Sequence, residues 1–324
     1  MRLSYTRDQQ IITEEKKIKQ RLNLPPATGV RLVPGISYGL NEVVKGIVRM
    51  FPHKKSYALI KGTGPYWTEL IYWLSVEGLS PQFFDIKNIN QSGEWIESLN
   101  KDTLFLLDSL NDPITAQVFS LTELHQQLHA RKIFSISVDH FALEQAVALN
   151  PFEVRVLKNP NNLATLLMGS RSTRIQPLVA GTSDWFSTGA MLEGLNSYSE
   201  HQMMVKDFES RLEEGFLPLL NKNTKRIYDR AVIYHPQIDG QAVMEALGRE
   251  LNLKWNTPGL EDRVETLSLC RWNALKDFDW YEAQGISLEN LSGTLIIDAQ
   301  FLTPQVSLSL WSAVQKIKEL QQIG

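Results

Sequence analysis

Cysteine is nearly absent from the sequence: Cys270 is the only one among 324 residues. A single cysteine excludes an internal disulfide and any zinc site that needs several cysteine ligands. A reducing compartment is the simplest interpretation.

Long apolar runs are also missing. The first 20 residues, MRLSYTRDQQIITEEKKIKQ, carry charges throughout and contain neither the apolar core of a signal peptide nor a membrane-spanning stretch. We therefore expect a cytoplasmic protein without a membrane partner.

Neither sign of charge dominates. The chain has 33 Lys and Arg residues against 36 Asp and Glu, for a formal net charge of -3. A basic surface that tracks the phosphates of a nucleic acid is therefore not predicted, and no nucleic-acid partner is expected.

Apolar residues, by contrast, are plentiful and regularly spaced. They make up 43% of the chain, which is enough for one large core and a smaller second one. Over the first 140 residues, short apolar runs typical of strands alternate with stretches whose apolar residues recur at helical spacing. The predicted strands are 30–33, 57–60, 82–86, 103–107 and 133–138, and the predicted helices are 8–22, 37–51, 67–77, 91–99 and 120–130. This alternation predicts a mostly parallel sheet covered by crossover helices.

The pattern changes after Gly181. One or two long helices are predicted over 187–216, followed by strands at 230–234, 264–269 and 293–298 and helices at 240–251 and 305–321. We expect an N-terminal helical segment at 1–24, a large domain at 25–205 and a small α+β domain at 206–324. The predicted fold class is α/β, with a three-layer large domain.

Four segments of the first 143 residues each join a predicted strand to a turn or a helix. They are VRLVPGISYGL from residue 30, GTGPYWTEL from residue 62, LFLLDSLNDPITAQ from residue 104 and IFSISVDHFAL from residue 133. Their order and spacing resemble the large domain of fold-type-I pyridoxal-phosphate enzymes, especially class I/II aminotransferases and histidinol-phosphate-aminotransferase-like proteins. The resemblance covers residues 8 to about 205 well and the last third only in general layout.

The first segment offers an anion site. Gly35, Ile36 and Ser37 follow a strand and begin a helix, where unpaired N–H groups and the helix dipole favour negative charge. The resemblance implies that these residues hold the cofactor phosphate. The alternative is that Ser37 is an ordinary N-cap.

The second and third segments imply contacts with the cofactor ring. Trp67, or else Tyr66, matches the aromatic residue that packs over the pyridine, with core packing as an equally weighted alternative. Asp112 stands where the family has an asparagine that touches the pyridine hydroxyl. An aspartate there would repel the phenolate oxygen unless it were protonated, so this match is degenerate.

The fourth segment ends a predicted strand at Asp139. The resemblance implies that this carboxylate pairs with the pyridinium nitrogen, and the carboxyl end of a parallel strand is where open α/β sheets bind ligands. The alternative is an aspartate that starts a turn.

The lysine that forms the Schiff base is not found at the expected spacing. The resemblance implies a lysine about thirty residues after the aspartate. Aligning Ser170 with the serine that commonly precedes this lysine puts Arg171 in its position, 171 − 139 = 32 residues after Asp139. Lys158 follows Asp139 by only 158 − 139 = 19 residues and is rejected on this count.

Arg171 stays protonated and cannot attack an aldehyde, so no internal aldimine and no catalytic residue are predicted. The leading hypothesis is a pseudoenzyme that retains an anion-binding cleft and holds pyridoxal phosphate, pyridoxamine phosphate or another small anion noncovalently. The alternatives are an unusual enzyme with a noncovalent cofactor and an ordinary aminotransferase whose lysine lies elsewhere. The resemblance also implies a homodimer.

Two other groups of residues are weighed against functional roles. His125 and His129 have the i, i+4 spacing of a metal-binding helix, but a solvated helix face is favoured because the segment lacks the glutamate of a zincin motif. A solvated helix end is also predicted for a short basic cluster: Lys222, Lys225, Arg226 and Arg230.

Overall fold

A computed structural model describes most of the chain in several stretches. They are residues 13, 15–61, 67–86, 92–112, 115–139, 149–158, 164–175, 198–220, 224, 226–228, 230–251, 264–266 and 286–323. The chain forms two compact units, the first comprising Met1–Pro113 and Val118–Asn196 and the second Ile114–Gln117 and Ser197–Gly324. The second unit contains the whole helix Tyr198–Ser210, so the domain boundary expected after residue 205 would fall inside that helix.

Seven strands form the sheet of the first unit. They are β1 (Gly29–Val33), β2 (Ser56–Lys61), β3 (Ser80–Asp85), β4 (Thr103–Ser109), β5 (Phe134–Asp139), β6 (Glu153–Lys158) and β7 (Ala164–Met168). Their order across the sheet is β1-β7-β6-β5-β4-β2-β3. β7 is antiparallel to both of its neighbours, and the remaining neighbouring strands are parallel. Six strands therefore run in one direction, and the predicted mostly parallel sheet is confirmed.

The helices of the first unit follow the strands in alternation. They are α1 (Ile36–Met50), α2 (Trp67–Val76), α3 (Ser92–Ser98) and α4 (Thr122–Ala130), and residues 15–21 are also helical. Each lies within two or three residues of its predicted bounds where the structure describes it. β6 and β7 were not predicted.

Helices cover both faces of this sheet. On one face α1 packs so closely that a Cβ added to Gly39 would lie 2.9 Å from Leu166 of β7. On the other face, Ile18 of the N-terminal helix and Leu22, which directly follows that helix, pack with Leu167. Because successive strand residues point to opposite faces, Leu166 and Leu167 mark the two sides of the sheet. The α/β three-layer prediction for the large domain is confirmed.

The second unit has a smaller sheet of four antiparallel strands in the order β10-β11-β9-β8. The strands are β8 (Leu217–Pro218), β9 (Arg230–Tyr234), β10 (Val264–Thr266) and β11 (Thr294–Asp298). The helices are α5 (Tyr198–Ser210), α6 (Gly240–Glu250), α7 (Leu288–Ser292) and α8 (Pro304–Ile323). Apolar residues of the sheet and of α6 and α8 share one buried cluster, as expected of an α+β unit. Within the described part of the chain, none of the helices combines the length and hydropathy that crossing a bilayer requires.

Candidate functional site

The ends of five strands meet at one edge of the large sheet. Ala164, which begins β7, is paired with Val33 at the end of β1 and with Lys158 at the end of β6. One residue before Lys158, Leu157 is paired with Asp139 at the end of β5. β4 ends beside them, since Ser109 is paired with Val138. We call this row of strand ends the carboxyl edge. Neighbouring strands lie about 4.8 Å apart, so the edge from Val33 to Asp139 spans roughly 15 Å.

Asp139 is held at the carboxyl edge by Asn111. The side chain of Asn111 donates a hydrogen bond from Nδ2 to Oδ1 of Asp139, over 2.7 Å. Both residues are fully buried, and Asp112 is buried beside them. The sequence interpretation assigned Asp112 to a contact with the pyridine hydroxyl of the cofactor and did not identify Asn111 as the partner of Asp139. The signal that could have identified Asn111 is its place two residues after the end of β4, a strand that runs parallel to β5.

The N-terminus of α1 follows β1 at the same edge. Its N-cap residue, Gly35, is extended with φ 159° and ψ 171°, no side chain caps the helix, and the first turn contains no acidic residue. Ile36 is buried in the hydrophobic core, whereas Ser37 is exposed and accepts a hydrogen bond from Asn41 Nδ2 at its carbonyl oxygen. Ser37 therefore lies inside the helix and is not an N-cap. The backbone N–H groups of a first helical turn have no acceptor within the helix, and here they keep the capacity to bind an anion.

Trp67 begins α2 and is buried. Its side chain is 5% exposed and belongs to the main hydrophobic core of the first unit. The core-packing alternative describes its surroundings in this structure. Tyr66 lies outside the described residues.

Arg171 does not lie where the sequence placed it. The backbone N–H of Arg171 donates to the carbonyl oxygen of Pro151 over 2.9 Å, and Pro151 precedes the first residue of β6. From Glu153 to Leu157, the sheet partner of Asp139, β6 spans about 13 Å. Ser170 and Arg171 therefore lie at the opposite edge of the sheet, too far away for the Arg171 side chain to reach Asp139. Both are exposed. The assignment of Ser170 and Arg171 to the cofactor site is therefore wrong.

Lys158 lies at the carboxyl edge instead. It is half-buried and is the last residue of β6. Because it directly follows Leu157, the sheet partner of Asp139, the Cα atoms of Lys158 and Asp139 lie roughly 6 Å apart. Residue counting rejected this lysine because it assumed a longer connection between Asp139 and β6.

A group of ionisable side chains lies behind the edge, on the sheet face covered by α4. His125 Nε2 lies 2.9 Å from Asp108 Oδ2, and His125 Nδ1 lies 3.9 Å from Glu153 Oε1. Arg155 Nε donates to Glu153 Oε1 over 2.6 Å. Ser137 is paired in the sheet with both Asp108 and Arg155. We call these five residues the buried ionic cluster.

The buried ionic cluster corrects the interpretation of His125. This side chain is 3% exposed, so the predicted solvated helix face is wrong at this position, and His129 is half-buried. Burial alone would lower the pKa of His125, but the carboxylates of Asp108 and Glu153 outweigh that effect and the net result is a raised pKa. The described residues contain no group of His, Cys, Asp or Glu side chains arranged to hold a metal ion.

Arg226 in the second unit also departs from expectation. It is buried, forms an ion pair with Glu209 and lies 4.6 Å from the ring centre of Tyr228. The solvated helix end predicted for it is therefore wrong. Lys222 and Lys225 lie outside the described residues.

No protein-family model matches the chain, and no curated protein matches it in sequence. Solved structures do match its fold. A NifS-like protein superposes with a TM-score of 0.73 at 11% identity, covering 97% of this chain and 89% of the other. A NifS-like protein from Rickettsia africae gives 0.68 at 12% identity, covering 97% and 89%. The cysteine desulfurase CsdA from Escherichia coli gives 0.67 at 11% identity, covering 98% and 85%. The chain therefore shares the α/β fold of these NifS-like and cysteine desulfurase structures.

Proposed function

We propose that this protein binds pyridoxal phosphate at the carboxyl edge and acts on an amino-acid substrate, with Lys158 as the residue that attaches the cofactor. The observation that carries the proposal is the sheet register, which brings the ends of β1, β5 and β6 into one row. Ligands of open α/β sheets bind outside the carboxyl ends of the strands.

The residues of the carboxyl edge fit the chemical groups of this cofactor. The phosphate would bind at the uncapped first turn of α1, where Gly35, Ile36 and Ser37 supply backbone N–H donors. The carboxylate of Asp139 would accept a hydrogen bond from the protonated ring nitrogen, and Asn111 holds that carboxylate in place. One edge thus offers a donor site for an anion and an acceptor for a cation.

Lys158 supplies the amine that the sequence interpretation lacked. A lysine Nζ, once deprotonated, can attack the cofactor aldehyde, and the same atom can carry a proton from the α-carbon of a substrate. When bound, the cofactor supplies an electron sink for a carbanion at that carbon. The pseudoenzyme hypothesis depended on Arg171, which lies at the other edge of the sheet.

Reduction with borohydride in the presence of pyridoxal phosphate tests the attachment. We expect a visible absorbance band, and peptide mapping by mass spectrometry should find the reduced cofactor on Lys158. Lys158→Ala should abolish the adduct. Lys61→Ala is the matched control, because Lys61 ends β2, another of the parallel strands, but lies three strands away from β6. An adduct on another lysine would contradict the proposal, and cofactor that binds but is never fixed would favour the noncovalent alternative.

Two reaction classes remain in competition for this site, amino transfer and removal of sulfur from cysteine. The second is favoured by the likeness to a cysteine desulfurase. In it, the sulfur of cysteine would pass to a protein thiol, giving alanine and a persulfide. Cys270 is the only thiol of the chain and lies outside the described residues. If Cys270→Ser abolishes the release of alanine from cysteine, desulfuration is supported. If this variant still converts an amino acid to its keto acid as the wild type does, amino transfer is supported.

We also propose a homodimer, as the resemblance to fold-type-I enzymes implies and as is commonest among oligomers generally. Light scattering should give twice the chain mass of 36.9 kDa over a wide concentration range. A constant monomer mass would exclude it.

A further inference from the structure

The buried ionic cluster takes no direct part in the proposed cofactor contacts, yet it lies directly behind them. Asp108 and Ser137 are paired on β4 and β5, and Asp139 follows Ser137 by two residues. Two residues along a strand and one strand across give roughly 8 Å between the Cα atoms of Asp108 and Asp139. The cluster and the carboxyl edge therefore lie close enough for their charges to interact through the protein interior.

The charges in the cluster balance only when His125 is protonated. Asp108 and Glu153 then contribute two negative charges, and His125 and Arg155 two positive ones. Asp108 is fully buried, and its Oδ1 atom has no hydrogen-bond partner among the described residues, so His125 is the group that compensates its charge. Loss of the proton would leave an uncompensated carboxylate next to Asp139.

No other described group facing His125 replaces its charge. On this face β5 presents the hydroxyls of Ser135 and Ser137 and, at its end, the carboxylate of Asp139. The carboxylates of α3, Glu94 and Glu97, are exposed to solvent. On its own helix, the nearest titratable group one turn away is His129, which has a half-buried ring against Phe152. At the edge itself, the buried Asp112 directly follows Asn111, the donor to Asp139, and the half-buried Lys158 directly follows Leu157, the sheet partner of Asp139.

We propose that the buried ionic cluster keeps a positive charge on His125 that stabilises the anionic form of Asp139, and that it thereby sets the pH range in which the carboxyl edge binds pyridoxal phosphate. The inference rests on the proposed function. In it, His125 is a positioning residue that acts through Asp108 and touches neither cofactor nor substrate. Its raised pKa agrees with this role, because a raised pKa favours the protonated, positively charged ring.

The coupling between His125 and Asp139 can be measured without any cofactor, since such coupling is reciprocal. The ring resonances of the six histidines are followed by NMR from about pH 5 to about pH 10. His125→Gln and His129→Gln assign the two rings of α4. We expect Asp139→Asn to lower the titration midpoint of His125 by about one pH unit and to leave that of His129 unchanged. A His125 midpoint that Asp139→Asn does not move overturns the inference.

The second measurement is the affinity for pyridoxal phosphate over the same pH range. The affinity of the wild type should fall about tenfold as the pH rises through the His125 midpoint. His125→Gln should bind the cofactor weakly with an affinity that does not depend on pH, and His129→Gln should behave as the wild type.

If His125→Gln keeps the wild-type pH profile of affinity while the adduct still forms on Lys158, the inference fails and the proposed function stands. If Asp139→Asn moves the His125 midpoint but no variant binds the cofactor, the charge coupling stands and the proposed function fails.

Discussion

Asn111 donates a hydrogen bond to Oδ1 of Asp139 over 2.7 Å, and neither residue is exposed to solvent. The bond joins the ends of two adjacent parallel strands, β4 and β5, at the carboxyl edge. A buried carboxylate is stable only when donors surround it, so this amide supports both the fold and the charge that the proposed function requires.

Replacing Asn111 by alanine should therefore reduce stability. We expect Asn111→Ala to lower the free energy of unfolding in urea by about 2 kcal/mol, because a hydrogen bond to a buried charged group is lost. Asn111→Asp should lower it further at neutral pH and recover in acid, where one of the two carboxyl groups takes up a proton. The control is Asn41→Ala, which removes an exposed side-chain bond to Ser37 and should change stability by less than about 0.5 kcal/mol. Equal losses in the two alanine variants would contradict a special role for Asn111.

A second prediction concerns a buried hydroxyl in the main core. Tyr57 is fully buried, stacks on Phe105 with 5.7 Å between ring centres, and its hydroxyl oxygen has no hydrogen-bond partner among the described residues. Burial raises the pKa of Tyr57 to about 12, so the phenol stays neutral at ordinary pH. Tyr57→Phe should raise the free energy of unfolding by about 1 to 2 kcal/mol, because an unpaired polar group leaves the core. Tyr72→Phe is the matched control at a side chain that is 73% exposed, and it should have no effect.

Three glycines separate backbone strain from side-chain contact. Gly93 lies in α3 with open space around it, Gly78 is left-handed at φ +75° with open space, and Gly215 is left-handed at φ +92° with His235 Nε2 3.0 Å from an added Cβ. We expect Gly93→Ala to stabilise by up to about 1 kcal/mol, since alanine favours a helix. Gly78→Ala should cost about 1 to 2 kcal/mol from strain alone. Gly215→Ala should cost more than Gly78→Ala, and a reversed order in urea unfolding would show that the contact with His235 is unimportant.

Much of the first unit was predictable because the spacing of apolar residues along one segment indicates a strand or a helix without knowledge of the segments that pack against it. The strand that ends at Asp139 is a run of buried residues, and the helix after Val33 shows one apolar face. The position of Lys158 was not predictable in this way. It depends on β6 and β7 forming an antiparallel hairpin, and the polar residues of EVRVLK concealed the first of these strands.

The buried ionic cluster was hidden from the sequence for a related reason. His125 directly follows the buried Leu124 on α4, and helical spacing alone cannot say which neighbouring polar residue also faces the sheet. Burial of the His125 ring is energetically favourable only because Asp108 and Glu153 lie opposite it, and these two carboxylates come from two different strands. Such long-range pairing needs the sheet order, which local patterns do not contain.

The last prediction concerns His235, which is buried in the second unit and neutral in the folded protein. Its Nδ1 atom accepts a hydrogen bond from the Gln237 backbone N–H, and its Nε2 atom lies 3.1 Å from the carbonyl oxygen of Glu214, to which it donates. Burial lowers the pKa of His235 below its ordinary value. The folded-state pKa is thus below the unfolded value of about 6.5, so the stability from this site is complete above about pH 6.5 and is lost as the pH falls through the folded-state pKa.

We expect the free energy of unfolding of the wild type in urea to fall between about pH 8 and about pH 5. The free energy of unfolding of His235→Gln should fall less steeply, because the variant cannot gain the proton. His53→Gln removes an exposed histidine and should keep the wild-type slope. Identical slopes in all three proteins would mean that His235 takes up its proton as readily in the folded state as in the unfolded chain, which the accepted hydrogen bond at Nδ1 argues against.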